Sequence, residues 1–152
     1  MAADITVQVL TLDELEPAIT RHFGSGRSFA FGTLPSDPGV YVWTSDGRVV
    51  YIGSAKSLSR RVGDEQDMVQ AYDPATEWHY SVIYVLKVHG AQVGWVTTTD
   101  HADAELLERR LIEWHRACVG IAPVAVGWDA KKDSPRLKAE KWARELWDSR
   151  QG

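Results

Sequence analysis

Two tyrosines, a short basic run and a helical glutamate are the residues of this sequence whose types and spacing could do chemistry. Tyr41 closes the run Pro38-Gly39-Val40-Tyr41, Tyr51 opens Tyr51-Ile52-Gly53, and Lys56, Arg60 and Arg61 follow within ten residues; Glu108 comes later, in Leu106-Leu107-Glu108. A guanidinium can grip two phosphate oxygens at once. A carboxylate can hold a hard divalent cation whose other ligands are waters and phosphate. Hydrolysing a phosphodiester needs such groups around an in-line water, with something to take its proton. Each residue also has a plainer reading: a half-buried strand tyrosine, a solvated arginine, or an ion pair of Glu108 with Arg109.

The elements that must position these groups are legible in the pattern. Val40 to Thr44 and Arg48 to Ile52 are β-rich runs joined through Ser45-Asp46-Gly47, a strong hairpin signal that places Tyr41 and Tyr51 on neighbouring strands. Leu58 and Val62 predict a helix from about Ser57 to Gln66, resumed through Met68 and Val69 and ended by Tyr72-Asp73-Pro74. Alternation between Trp78 and Lys87 predicts a strand, with Val93 to Thr98 as its hairpin partner across His89-Gly90-Ala91. Ala104, Leu107, Leu111, Trp114 and Cys118 form one stripe of a helix running from Asp100 or His101, and Glu108 borders that stripe, so it can project into a cleft. Glu105 lies further from the stripe and reads as solvated. Upstream, Ile5 to Leu10 predicts a strand, and Thr11 caps a helix reaching about Phe23. Downstream, Ser134-Pro135 starts a last helix with Leu137, Trp142 and Leu146 as contacts.

Taken in order, Leu34 to Tyr41, Tyr51-Ile52-Gly53 and Ala55 to Val62 resemble the catalytic core of the GIY-YIG nuclease family. In detail they are most similar to the N-terminal nuclease domain of the incision subunit of bacterial nucleotide excision repair. Ala104-Glu105-Leu106-Leu107-Glu108 with Leu111-Ile112 is similar to that family's downstream helix. The resemblance implies an endonuclease that hydrolyses DNA phosphodiester bonds with Mg²⁺ or Mn²⁺. It implies that Tyr41 and Tyr51 line the site, one of them near the attacking water, that Arg61 lies on the phosphate, and that Glu108 binds the metal. Arg60, one position away, points about a quarter turn elsewhere on the helix. Lys56 and Arg60, with Lys131 and Lys132 in the tail, are the candidate DNA contacts.

Three supporting positions depart from the family pattern. The family ends its core with a proline followed shortly by an asparagine; here Pro123 leads into Val124-Ala125-Val126-Gly127-Trp128, and the chain contains no asparagine. The residue after Tyr-Ile-Gly, often lysine or glutamine, is Ser54. Where a tyrosine or histidine commonly follows the arginine, Gly63, Asp64, Glu65 and Gln66 stand instead. These departures suit a diverged active nuclease, and equally a nucleic-acid-binding or protein-interaction module on the same fold in which chemistry has been lost.

Composition bounds the rest. The 152 residues, 44% hydrophobic and 25% charged, fit one domain with a core and argue against disorder. The expected class is α+β: a small antiparallel or mixed three-stranded central sheet flanked by helices. The nuclease-like core spans about 34–128, with an N-terminal extension 1–33 and a C-terminal helix about 134–149. Cys118 is the only cysteine, which excludes an internal disulfide and a cysteine-based zinc site, so a metal would be held by oxygen or imidazole. His79, His101 and His115 are candidates for the latter, although a lone helical histidine such as His115 is more often structural. No apolar run approaches the roughly 20 residues a membrane helix needs, and the start lacks the layout of a signal peptide, so a cytoplasmic protein is expected; the chain is too short for the further domains of the repair subunit it resembles, so the resemblance implies a stand-alone nuclease. The net charge of -4 disfavours a nucleic-acid partner, yet residues 38–61 alone carry +3 while 62–104 carry -6. A basic island coincides with the motif. The tail from Trp128 to Trp147 could also grip DNA, although tryptophans so spaced more often pack.

Overall fold

A computed structural model of the chain describes residues 10–71, 91–123 and 134–151. The expected strand 78–87, its turn at His89-Gly90, residues 5–9 of the first strand, His79, Trp128, Lys131 and Lys132 lie outside the described residues.

The hairpin is built as its sequence demands. Strands β1 (Gly39–Ser45) and β2 (Arg48–Ala55) pair antiparallel, and the turn between them holds Asp46 at φ 57° and Gly47 at φ 77°, the left-handed pair a two-residue primed turn requires. The register slips between Trp43 and Thr44, which leaves Val50 as an extra residue on β2. The bulge interrupts the alternation, so that Val50 and Tyr51 lie together on one face while Val49 and Ile52 lie in the other core. Strand β3 (Gln92–Thr97) pairs antiparallel with the other edge of β1, giving the order β2-β1-β3. Central β1 is buried along its whole length.

Alternation divides the sheet into two faces. Val40, Val42, Ile52 and Val96 pack against helices α1 (Leu12–Phe23), α3 (His101–Val119) and α4 (Ser134–Gln151). Tyr41, Trp43, Val50 and Ala55 face helix α2 (Leu58–Ala71) through Leu58 and Val62. Each fully buried aliphatic side chain stabilises this α+β arrangement by about 1.5–3 kcal/mol. The start of α2 is anchored by two carbonyls of the preceding loop: Leu58 N donates to Asp37 O at 3.0 Å and Ser59 N to Pro35 O at 2.9 Å.

Helix α3 is the structural spine on the other face. Asp100 caps it by accepting from Asp103 N at 2.8 Å, and the stripe Ala104, Leu107, Leu111 and Trp114 is buried as its spacing predicts. Trp114 Nε1 donates to the Glu14 carbonyl of α1 at 3.0 Å. Helix α4 docks through Arg136, Ala139, Ala143 and Leu146. Glu113, buried within α3, is ion-paired with Arg136 at 3.5 Å and Arg116 at 3.6 Å. Leu137, expected as a core contact, is instead 48% exposed, because it sits one position, about 100°, from the stripe that docks. Two tail tryptophans pack: Trp147 lies 6.0 Å from Trp114 and Arg110 stands 5.1 Å over Trp142. Among the described residues, no helix is long and apolar enough to cross a membrane.

Candidate active site

The site is assembled around β2 from both layers. On the α2 face, Tyr41 lies opposite Gly53 and Trp43 opposite Tyr51, so both tyrosines share one face and their rings stand 6.0 Å apart, tilted by 36°. Gly53 permits this approach. A Cβ there would meet Tyr41 Cζ and Oη at 2.5 Å and Tyr51 Cε1 at 2.9 Å, closer than side chains tolerate. Tyr41 is 1% exposed and Tyr51 half-buried.

A carboxylate from α2 completes this cluster. Tyr41 Oη donates to Glu65 Oε1 at 2.9 Å, and Trp43 Nε1 donates to Glu65 Oε2 at 3.2 Å. Burial, reinforced by the Glu65 charge, pushes both phenols above the ordinary tyrosine range. Burial likewise raises Glu65 above the ordinary carboxylate value, against the opposing hydrogen bonds from Trp43 and Tyr41 and the nearby Arg61 charge.

From the opposite layer, Glu108 of α3 reaches the end of β2, where Ser54 Oγ donates to its Oε2 at 2.9 Å. Burial raises Glu108 too, while the Ser54 hydrogen bond and the charges of Arg109 and Arg61 oppose the shift. Arg61 is exposed, its side chain makes no hydrogen bond or ion pair among the described residues, and its charge acts on Tyr51, Glu65 and Glu108 alike. Beside it opens a cleft of about 340 Å³ lined by Ala55, Lys56, Ser57, Arg60, Arg61, Asp64 and His101. His101 there is paired with Glu105 at 3.0 Å.

A family profile for the UvrC-like GIY-YIG domain matches residues 37–118, more than half of the chain. The chain belongs to this family. The UvrABC system protein C of Nitratidesulfovibrio vulgaris is 34% identical over 119 residues, which is 74% of this chain and 16% of that protein. Its counterpart from Pelodictyon phaeoclathratiforme is 36% identical over 83 residues, 54% of this chain and 12% of that protein. The chain thus spans a small fraction of the length of these curated relatives. Among solved structures, the GIY-YIG N-terminal endonuclease domain of UvrC from Thermotoga maritima, bound to its catalytic divalent cation, magnesium, is similar over 55% of this chain and 82% of that one, with 24% identity and a TM-score of 0.41.

The donor set of this GIY-YIG domain fits a hard divalent cation. Among the described residues, no three His, Cys, Asp or Glu side chains gather as a metal cage. Magnesium needs none, since it keeps most of its waters and takes one or two carboxylates with substrate phosphate. Glu108 supplies such a carboxylate: one oxygen is fixed by Ser54, the other has no hydrogen-bond partner among the described residues, and its burial leaves a negative charge that a cation would compensate.

The structure therefore brings Tyr41, Tyr51, Arg61 and Glu108 into one neighbourhood, with Lys56 and Arg60 on its cleft. His115 stands apart, fully buried, with Nδ1 2.6 Å from the Ile121 carbonyl, as a structural histidine would be. Sequence reasoning missed two participants. Ser54 and Glu65 both stood among the departures from the family pattern, Ser54 directly after Tyr51-Ile52-Gly53 and Glu65 one helical turn beyond Arg61, and that nearness to the motif was the signal that could have found them.

Proposed function

We propose that this GIY-YIG domain hydrolyses DNA phosphodiester bonds, with Arg61 gripping the scissile phosphate and Glu108 holding Mg²⁺ or Mn²⁺. The observation that carries the reading is that the guanidinium of Arg61, without a partner among the described residues, lines an open basic cleft while its charge reaches Tyr51, Glu65 and Glu108. A divalent cation, when bound, supplies Lewis-acid stabilisation of the charge developing on the phosphate. The protein's own groups do the rest. Arg61 can hold two phosphate oxygens in one plane and orient the phosphorus for in-line attack. Ser54 keeps Glu108 aimed. Tyr51, the more exposed phenol, stands where a water could be oriented. Lys56 and Arg60 engage neighbouring phosphates; Lys131 and Lys132 stay candidate contacts on the strength of their charge in the sequence. The acidic segment 62–104 repels phosphate and confines DNA to this face, so binding is strongly salt-dependent.

The test is direct. Supercoiled, branched and single-stranded DNA are incubated with the protein and Mg²⁺ or Mn²⁺, beside Glu108→Gln. Metal-dependent cleavage that Glu108→Gln abolishes is expected; cleavage that survives the substitution unchanged overturns the assignment. Salt-sensitive binding with no cleavage of any substrate would establish the silent module.

A further inference from the structure

One side chain of the basic cleft has no task in the reading above. His101 is the only lining residue supplied by α3; the others, among them Lys56, Arg60, Arg61 and Asp64, come from β2, α2 or the link between them. It is the first residue of its helix and is 34% exposed, with Nδ1 3.0 Å from Glu105 Oε1 one turn further on. The other ring nitrogen, Nε2, has no partner among the described residues and is left to whatever the cleft holds.

The proposed reaction needs a group of this kind. Breaking a phosphodiester leaves an alkoxide on the departing sugar, a strong base that departs faster when a proton reaches it in the transition state. Guanidinium and ammonium groups hold their protons at neutral pH, and a carboxylate has none to give. A serine hydroxyl yields its own only reluctantly. Imidazole alone both carries a proton and releases it in that range. Among the described residues that line the cleft, His101 is therefore the one able to deliver a proton near neutrality. The phenols of Tyr41 and Tyr51 are poorer donors, since burial holds both above the ordinary tyrosine range. A cleft of about 340 Å³ is small enough that a phosphodiester gripped by Arg61 also meets the wall that His101 forms.

Resting on the nuclease reading above, we propose that His101 is a catalytic residue, the general acid that protonates the leaving sugar oxygen, and that Glu105 is its positioning residue. As imidazolium the ring carries a proton on each nitrogen, Nδ1–H towards the Glu105 carboxylate and Nε2–H towards the substrate. The attacking water forms the new P–O bond and releases one proton to solvent. The bond from phosphorus to the sugar oxygen breaks, its electron pair stays on that oxygen, and the Nε2 proton is delivered there. The neutral ring then regains a proton from solvent. The charged groups around the ring are Glu105 on its own helix, Arg60, Arg61 and Asp64 on α2, and Lys56 before that helix. A bound phosphate adds negative charge among them, so the substrate itself favours the charged ring that the step needs.

The test compares two synthetic versions of a DNA that the wild type cuts, one natural and one with sulfur in place of the leaving oxygen. A thiolate departs without a proton, so the sulfur substrate has no use for a general acid. Single-turnover rates with Mg²⁺ are taken for His101→Ala and Glu105→Gln, each relative to wild type on the same DNA. On the oxygen substrate His101→Ala should be slower by about 10²- to 10⁴-fold. On the sulfur substrate it should stay within a few-fold of wild type. Glu105→Gln should show a smaller loss with the same rescue. The wild-type rate on the oxygen substrate should fall as pH rises, a dependence that His101→Ala loses. DNA affinity without metal, read by fluorescence anisotropy, should change by no more than a few-fold. Equal losses on both substrates, or a full rate of His101→Ala on the oxygen substrate, overturn the general acid and leave the nuclease reading intact. A Glu105→Gln loss that sulfur does not rescue overturns the positioning role. A wild type that cuts no DNA overturns both readings.

Discussion

Ser54 Oγ donates a hydrogen bond to Glu108 Oε2 across 2.9 Å and so fixes a carboxylate of α3 against the end of β2. The contact spans 54 residues of sequence and couples the hairpin to the opposite layer. A hydroxyl that orients a metal-binding carboxylate acts on metal affinity before it acts on stability. Ser54→Ala should weaken binding of Mg²⁺ or Mn²⁺ by about 10- to 100-fold with little change in unfolding midpoint. Titration calorimetry with Mn²⁺ alone checks this, and unaltered affinity would detach Ser54 from the site.

Arg61 and Arg60 are adjacent in sequence and separable in function. Arg61→Ala should lower the cleavage rate at saturating DNA by about 10²- to 10³-fold, the usual cost of removing a group that stabilises transition-state charge. Arg60→Ala and Lys56→Ala should leave that rate within a few-fold. They should instead weaken binding and each reduce the slope of log affinity against log salt by about 1. Equal rate losses for Arg60→Ala and Arg61→Ala would refute the division.

Gly53 is where packing and chemistry meet. A methyl group at this position would press on Tyr41 and Tyr51 together, and neither β-strand backbone can yield easily. Gly53→Ala should destabilise the fold by about 1–3 kcal/mol, the range for overpacking a core. Urea unfolding measures the loss. Because the two rings must part to admit the methyl, cleavage should fall further than the lost folded fraction accounts for.

Glu108 is held at a cost to stability, and the sign of its pH dependence follows. Its folded-state pKa lies above the unfolded value, so between the two the folded chain binds more protons and stability falls as pH rises through that window. Glu108→Gln should therefore raise the unfolding midpoint of the metal-free protein at neutral pH, with the gain vanishing below the ordinary carboxylate range. Glu65 and Glu113, raised in the same direction, retain the remaining slope. Urea titrations at pH 4 and 7.5 decide it; a destabilised Glu108→Gln at neutral pH would reverse the sign.

What the sequence made legible was local. The hairpin announced itself through alternation and Asp46-Gly47, and the stripe of α3 through helical spacing, because each signal is written within a few consecutive turns or strands. Helix α2 runs uninterrupted from Leu58 to Ala71, where a break near Gln66 and a resumption through Met68 and Val69 were expected, because its second half carries little apolar pattern to mark its continuity. Glu65 was illegible for a related reason. In a helix rich in charge, a glutamate reads as solvated, and only β1, more than twenty residues earlier, brings the phenol and indole that bury it. Leu137 erred the other way: its apolar side chain suggested a contact, while helix phase gave the interface to Ala139 and Ala143.

The two acidic groups of the site belong to different layers, Glu65 to the helix on one face of the sheet and Glu108 to the helix on the other. A chain in which only one layer has docked holds half of the machinery. During synthesis the hairpin and α2 emerge well before α3, so the last acidic group arrives only as the fold closes. On the proposed nuclease reading, competence to cut would require completed folding, and a nascent or partly unfolded copy would leave the DNA around it intact.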